Sequence, residues 1–305
     1  MNLSRDHAIR VASPTEQTNP HTRDIDLLPT LDVLQLFNRE DRTVPEAVGR
    51  VLPELAEAVD LAVAALRSGG RVHYVGAGTS GRLAVLDAAE LIPTFNAPPD
   101  WFVAHQAGGP DAYQQAVENA EDDEDAGARE IRAQGSDKDF VLGLAASGRT
   151  PYVISALTAA KEIGASTALL TSNPNPGPVP ADVVIAADTG PEPISGSTRM
   201  KAGTAQKLVL TSFSTAVMIK LGRVYSNFMV SMLATNAKLR GRTITILQEA
   251  TGASEDECSD ALTAAGEDLK TALVHLLSGA DVERSAAALA VADGHVRDAL
   301  RSLRG

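Results

Sequence analysis

Residues 71–92 read RVHYVGAGTSGRLAVLDAAELI. A short run rich in β-branched and aromatic residues stops at a glycine-rich turn, and a segment with apolar residues at helical spacing begins at once. The same succession recurs through the middle of the chain. WFVAHQ (101–106), DFVLGLAAS (139–147), STALLTS (166–172) and ADVVIAAD (181–188) are further strand-like runs, separated by helical stretches such as PYVISALTAAKEIG (151–164). This alternation predicts an α/β fold over residues 44–222: a doubly wound, five-stranded parallel sheet covered on both faces. Sheets of this kind bind ligands at the carboxyl ends of their strands, so the loops that follow the strands are where chemistry is expected.

The flanks read differently. Residues 1–43 are polar and irregular, and SPTEQTNPHTRDID within them predicts an N-terminal arm pinned by contacts elsewhere. VPEAVGRVLPELAEAVDLAVAALRSGG (44–70) repeats apolar residues at helical spacing and ends at Gly69-Gly70, with Pro53 marking a kink or break. Residues 223–305 are helical throughout, and HLLSGADVERSAAALAVADGHVRDAL (275–300) places Gly and Asp where short helices stop and restart, predicting a small C-terminal helical bundle.

Composition narrows the partners. The 305 residues carry 27 Lys plus Arg against 39 Asp plus Glu, a net charge of −12, which argues against broad contact with nucleic acid or an anionic membrane. Hydrophobic residues make up 44%, enough for a sizeable core, yet no run reaches the roughly 20 apolar residues that a spanning helix needs. A single cysteine, Cys258, excludes an intrachain disulfide, and the start MNLSRDHAIR has no apolar export segment, so a cytoplasmic protein is expected. Cys258 has no histidine or second cysteine nearby, which leaves metal and nucleophile roles without support.

GAGTSG (76–81) formally satisfies the dinucleotide pattern G-x-G-x-x-G. Its companion, an acid at the end of the second strand, is absent, because that strand closes on His105-Gln106. Two later loops, ASGRT (146–150) and SGSTRMKAGT (195–204), are likewise rich in hydroxyls and carry positive charge. Each leads toward a helix whose free backbone amides favour an anion. Singly, any of the three reads as an N-cap, since Ser and Thr are preferred caps. Together they fit a phosphorylated polyol, with Arg82, Arg149, Arg199 and Lys201 making a locally positive site on a negative protein. His73, inside a strand, reads as a satisfied core histidine, and His105 reads equally as core or ligand.

YVGAGTSGRLAVLDAAE (74–90), AASGRTPYV (145–153), GSTRMKAGTAQKLVL (196–210) and LGRVYSNFMVSMLATNAKL (221–239) resemble the N-acetylmuramic acid 6-phosphate etherases, of the sugar isomerase (SIS) fold group with flavodoxin-like topology. The likeness extends over essentially the whole chain, including TEQTNPHTRDIDLLPTLDVLQLFNREDRTVPEAV (15–48). It implies cleavage of the D-lactyl ether of N-acetylmuramic acid 6-phosphate by elimination and hydration, with no metal or other cofactor, in a homodimer. The apolar face of the helix at 44–68 offers a second chain something to cover.

The resemblance also implies roles. One catalytic glutamate maps onto Glu90 in LDAAE and the other onto Glu121 in AVENAED, the first as proton donor and the second as its partner. Of the family pattern Ser-x-Ser-Gly-x-Thr, Ser147, Gly148 and Thr150 match while Ala145 lacks its hydroxyl, and Arg149 lies between them. Gly78, Thr79 and Ser80 match the loop that contacts the sugar. Ser195, Ser197, Thr198 and Lys201 match the third motif. In the arm, Thr18 stands where some members have Arg.

Without the resemblance, Glu121 would read as the start of the solvated acidic run EDDED. Glu90 lies about 16 Å beyond Thr79 on a straight helix, so either that helix starts late and breaks before Pro93 or the residue serves a site completed by another subunit. A non-catalytic phosphosugar-binding regulator, as in the more distantly similar glucokinase regulatory protein, and an aldose-ketose isomerase would share these loops. The glutamate pair is what separates an etherase from both.

Overall fold

The computed structural model describes residues 13–115, 117–232 and 237–304. The polar start MNLSRDHAIR and residues 233–236 of the last motif lie outside them. The five strands are β1 (Val72–Gly76), β2 (Phe102–Gln106), β3 (Phe140–Leu144), β4 (Ser166–Thr171) and β5 (Val183–Ala186). They form one parallel sheet in the order β2-β1-β3-β4-β5. Val72 stands opposite Phe102 on one side and Phe140 on the other, so β1 and its two neighbours end at one level.

Every residue of β1 and β3 is buried, which explains why these strands read as continuous apolar runs and not as alternating ones. On one face, Val75, Val141 and Leu169 pack with Val153, Ala156 and Leu157 of α6 (Pro151–Glu162). On the other, Tyr74 meets Phe102 and Phe213, and Phe213 of α7 (Lys201–Lys220) stacks on Phe140 at 5.8 Å between centroids.

Before the sheet come α1 (Thr30–Asp41), α2 (Val44–Gly49) and α3 (Leu52–Arg67). The break between α2 and α3 falls at Arg50-Val51, and Pro53 sits in the first turn of α3, where its missing N–H costs nothing. α3 buries Leu55, Ala58, Val59, Ala62, Val63, Ala65 and Leu66 and packs on β1, β3, β4 and β5. The apolar face expected to await a second chain is therefore covered within this one. α1 is a further difference, since its residues read as irregular. It buries only Leu36 and Glu40, while Leu31 and Leu34 are exposed, so it lacks the stripe by which a helix is recognised.

The chain divides into two compact units. One runs up to Ala88 and resumes over Asp100–Phe213; the other holds Ala89–Pro99 and the residues from Ser214 onward. The division falls within α4 (Gly78–Phe95) and within α7. In the second unit a short hairpin, β6 (Val224–Tyr225) and β7 (Phe228–Met229), precedes α8 (Ala237–Thr251). Four helices then follow: α9 (Glu255–Ala264), α10 (Leu269–Ser278), α11 (Val282–Val291) and α12 (Val296–Leu303).

The pair α9–α10 is repeated by α11–α12 at an offset of 27 residues, as the helix starts Glu255 and Val282 show. Ser254 and Asp281 are matching N-caps, and Asp268 and His295 begin the second helix of each pair. Gly266-Glu267 and Asp293-Gly294 both turn through positive φ. Leu262, Ala272 and Leu273 have buried counterparts in Leu289, Ala299 and Leu300, and all six join one core cluster.

Phe213 is the side chain that ties Tyr74 and Phe140 to α7. We expect Phe213→Ala to lower stability by about 3–5 kcal/mol, read as a fall in the urea midpoint.

Candidate active site

The chain leaves β1 toward one edge of the sheet to make β2, then crosses back to make β3 on the other side of β1. The loops after β1 and β3 consequently diverge, and the crevice at this reversal is where a ligand fits. The first of the expected hydroxyl loops follows β1 and opens α4. Gly81 lies so close to Gln106 that a Cβ would strike the Gln106 side chain and would come within 2.7 Å of the Gly76 carbonyl. Helix and strand therefore approach to backbone distance. Ser80 donates to Gln206 Oε1 of α7 at 3.0 Å. Arg82 donates to the carbonyls of Ala112, Tyr113 and Gln115 at 3.1, 3.2 and 3.1 Å, so its charge holds the segment after β2 in place.

That segment closes a cleft of about 250 Å³ lined by Gly78, Arg82, Gln106, Glu118 and Glu121. The structure thus brings Glu121 to the mouth of the first loop. Thr79 is next to Gly203 in the first turn of α7, its methyl 3.5 Å from where a Gly203 Cβ would stand.

The second loop follows β3. Ser147 Oγ accepts from the Arg149 N–H at 3.2 Å, the Ser147 carbonyl accepts from Asn173 Nδ2 at 3.0 Å, and Thr171 donates to the Ala146 carbonyl at 3.0 Å. Gly148 turns at φ +73. Thr150 precedes α6 with its hydroxyl uncommitted to a capping bond. Arg149 is exposed and lines, with Glu124 and Arg132, a separate depression of about 520 Å³.

In the third loop Ser195 is exposed, Ser197 and Thr198 are half-buried, and the Gly196 N–H donates to the Thr15 carbonyl at 3.0 Å. The N-terminus of α7 is not open to a ligand as expected. The buried Glu192 carboxylate accepts from the Lys201 and Ala202 N–H groups at 2.8 and 2.9 Å, occupying the amides an anion would use. Burial pushes Glu192 above the ordinary carboxylate range, against the pull of those two bonds and of Lys201.

The Lys201 ammonium is buried as well, 2.9 Å from Glu40 Oε2. Asn19 donates to the same carboxylate at 2.7 Å and His21 Nδ1 lies 3.0 Å from it. The arm is pinned here: Ser13, Thr15, Asn19 and Thr22, polar as they are, are buried. Burial alone would push Glu40 up, but the bonds from Lys201, Asn19 and His21 outweigh it and hold the carboxyl below its usual range.

α4 runs unbroken from Gly78 through Pro93 to Phe95, and Glu90 is exposed in its fourth turn, on the stretch that belongs to the second unit. The helix neither starts late nor breaks early. His73 and His105 are both buried and face each other, Nδ1 to Nε2, at 2.9 Å. Among the described residues no group of His, Cys, Asp and Glu is gathered that can hold a metal, and no helix is long and apolar enough to cross a membrane.

The family model described as the glucokinase regulatory protein N-terminal SIS domain matches residues 54–161. A solved phosphoheptose isomerase from Francisella tularensis superposes with a TM-score of 0.50 at 20% identity, over 63% of this chain and all of its own, a likeness of fold. Sequence relatives are much nearer. An N-acetylmuramic acid 6-phosphate etherase from Thermobifida fusca is 59% identical over 269 residues, 88% of each chain. Another from Pectobacterium atrosepticum is 51% identical over 94% of this chain and 95% of its own. The chain belongs to the N-acetylmuramic acid 6-phosphate etherase family. The etherase likeness takes in both compact units, whereas the SIS family model stops within α6.

Sequence reasoning missed three residues that hold these loops in place: Glu40, Glu192 and Gln206. Glu192 leaves a faint signal, a lone acid nine residues ahead of a helix start. Glu40 and Gln206 leave none, because their partners are 161 and 126 residues distant.

Glu40→Ala leaves Lys201 buried without its counter-charge and should cost about 3–5 kcal/mol at pH 7 in a urea titration. The folded Glu40 is held below its unfolded value, so the wild-type advantage is full above pH ~4.3 and is lost as pH falls through the lower folded value.

Proposed function

We propose that this chain cleaves the D-lactyl ether at C3 of N-acetylmuramic acid 6-phosphate, giving N-acetylglucosamine 6-phosphate and D-lactate. The observation that carries this is the near-full-length identity to etherases, joined to a carboxylate, Glu121, in the cleft at the mouth of the first loop. In the opened sugar the C1 carbonyl acidifies the C2 proton. Glu121 takes that proton as general base while a carboxylic acid protonates the C3 ether oxygen, lactate departs, and C2 and C3 are left doubly bonded. Water then adds its hydroxyl at C3 and a proton at C2, restoring the sugar. Two carboxyls whose environments set them apart serve both halves.

Ser147, Gly148 and Thr150 hold the phosphate, with Arg149 at its edge, and Gly78, Thr79 and Ser80 contact the sugar. Ser195, Ser197 and Thr198 close the third side, and Lys201 supports them by anchoring the arm through Glu40. Glu90 is the acid. Its place far along an unbroken α4 favours its serving the site of a second copy in a homodimer. The exposed Leu27, Leu31 and Leu34 supply apolar surface for that association. The reaction belongs to the catabolism of peptidoglycan amino sugars in the cytoplasm, where a lone thiol stays reduced.

The match to a regulatory SIS domain favours one second reading, a phosphosugar sensor without turnover. Lactate release separates them. Purified protein given the substrate, without added metal or nucleotide, should yield D-lactate, and none under any buffer condition overturns the enzyme reading. Glu121→Gln and Glu90→Ala should each lower kcat by about 10²–10⁴-fold while phosphosugar binding persists. Turnover near wild type in either variant removes that residue from the mechanism. Sedimentation should show a dimer that Leu31→Asp weakens.

A further inference from the structure

Five polar side chains, Asp139, His73, His105, Glu130 and Tyr152, form one continuous hydrogen-bonded chain that is buried except at Glu130, which is 32% exposed. Asp139, just ahead of β3, accepts from the backbone N–H groups of Arg71 and Ser136, both at 2.7 Å, and its Oδ2 lies 3.2 Å from His73 Nε2. His73 Nδ1 lies 2.9 Å from His105 Nε2, and His105 Nδ1 lies 3.2 Å from Glu130 Oε2. Tyr152 of α6 donates to that same Glu130 oxygen at 2.7 Å. His73 is wholly buried and His105 is 4% exposed, so neither ring has water to complete its bonding.

The hydrogens that the chain needs can be counted. Three gaps separate the two carboxylates and the two rings, and each needs one hydrogen. Two neutral imidazoles supply only two, so all three gaps are filled when the histidine pair carries one extra proton. Burial pushes His73 down to about 4, with His105 adding to the effect. Burial raises Glu130, yet the bonds from His105 and Tyr152 outweigh it and hold it ionised. The other charged or titratable groups facing this chain are Arg71, Arg129, Tyr113 and Asp123.

Glu130 belongs to α5 (Glu124–Gln134), a helix that buries only Gly127 and Ile131. Gly127 sits against the Tyr152 carbonyl with no room for a Cβ, which fixes the separation of α5 from α6. Arg132 pairs with Glu162 of α6 at 2.7 Å on the exposed side, and the bridge from Glu130 to Tyr152 on α6 and to His105 on β2 ties the helix to the sheet as well. Immediately before α5, a single 3₁₀ turn, Ala120–Asp122, carries Glu121, and Asp123 caps the helix by accepting from the Ala126 N–H. A shift of α5 is therefore a shift of Glu121.

We propose that Glu130, bridged to His105 and to Tyr152, is a positioning residue that sets the placement of Glu121 in the cleft. The proposal rests on the reading of Glu121 as a catalytic base. Where the two neutral imidazoles spend their hydrogens on the other two gaps, two lone pairs face each other across the Glu130–His105 gap, and Glu121 is held less firmly. A glutamine at position 130, with its amide nitrogen where this oxygen stands, would donate one N–H to a neutral His105 and the other to the Tyr152 hydroxyl oxygen, filling every gap.

The test is lactate release against pH for wild type, Glu130→Ala and Glu130→Gln, with histidine ring NMR on the same proteins. Glu130→Ala should lower kcat about tenfold and leave KM within about threefold. Glu130→Gln should restore most of the wild-type kcat at every pH tested. The ring signals of His105 should show an Nδ1 N–H facing Glu130 in wild type and a bare Nδ1 in Glu130→Gln. Wild-type kcat in Glu130→Ala, or a Glu130→Gln variant as slow as Glu130→Ala, overturns the positioning role while the etherase reading stands. Wild-type protein that releases no lactate overturns both.

Discussion

Parallel strands impose one constraint from which the rest of the site follows: every crossover must carry the chain back to the same end of the sheet, so every loop that follows a strand emerges at the other end together. The order β2-β1-β3-β4-β5 adds a reversal at β1, and the loops after β1 and β3 cannot cover each other. A crevice results before any chemistry is chosen. The backbone contact of Gly81 with the end of β1 and with Gln106 brings α4 down onto that crevice, and Arg82 uses its charge to fold the segment after β2 along its rim.

Charge is distributed with the same economy. Of the four cations that the sequence sets in or beside the loops, Arg82 is committed to carbonyl oxygens and Lys201 to Glu40, while Arg149 and Arg199 remain exposed. The loops therefore present mainly hydroxyls and backbone N–H groups, with two exposed guanidinium groups at the edge. Glu192 and Glu40 are spent internally, one closing a helix end and the other anchoring the arm. Part of the acidic excess is therefore structural cement and not solvated surface.

The five strands were legible because burial on both faces makes each an unbroken apolar run bounded by Gly, Pro or Asp, and the observed strands fall inside the predicted ones. The break ahead of Pro53 was legible for the same local reason. α1 was not, since a helix that rests on Leu36 and Glu40 shows no stripe. Glu121 was legible only through family resemblance, because within EDDED nothing in the composition distinguishes it from its neighbours. The helix start at Lys201 looked open to an anion, and what fills it, Glu192, belongs to the preceding loop. Links such as Lys201 to Glu40 or His105 to Glu130 join residues far apart in the chain, and residue type alone does not announce such pairings.

The 27-residue repeat in the second unit bears on the chain's lone thiol. Cys258 in α9 occupies the slot that Ser285 occupies in α11, and both are fully buried, with Ser285 Oγ donating to the Asp281 carbonyl at 2.8 Å. The protein thus holds within itself a comparison of sulfur and oxygen in one packing environment. The slot accepts either, so the sulfur of Cys258 is there as a small filler, and a thiol-free form of this helical hairpin is already written in its own second copy.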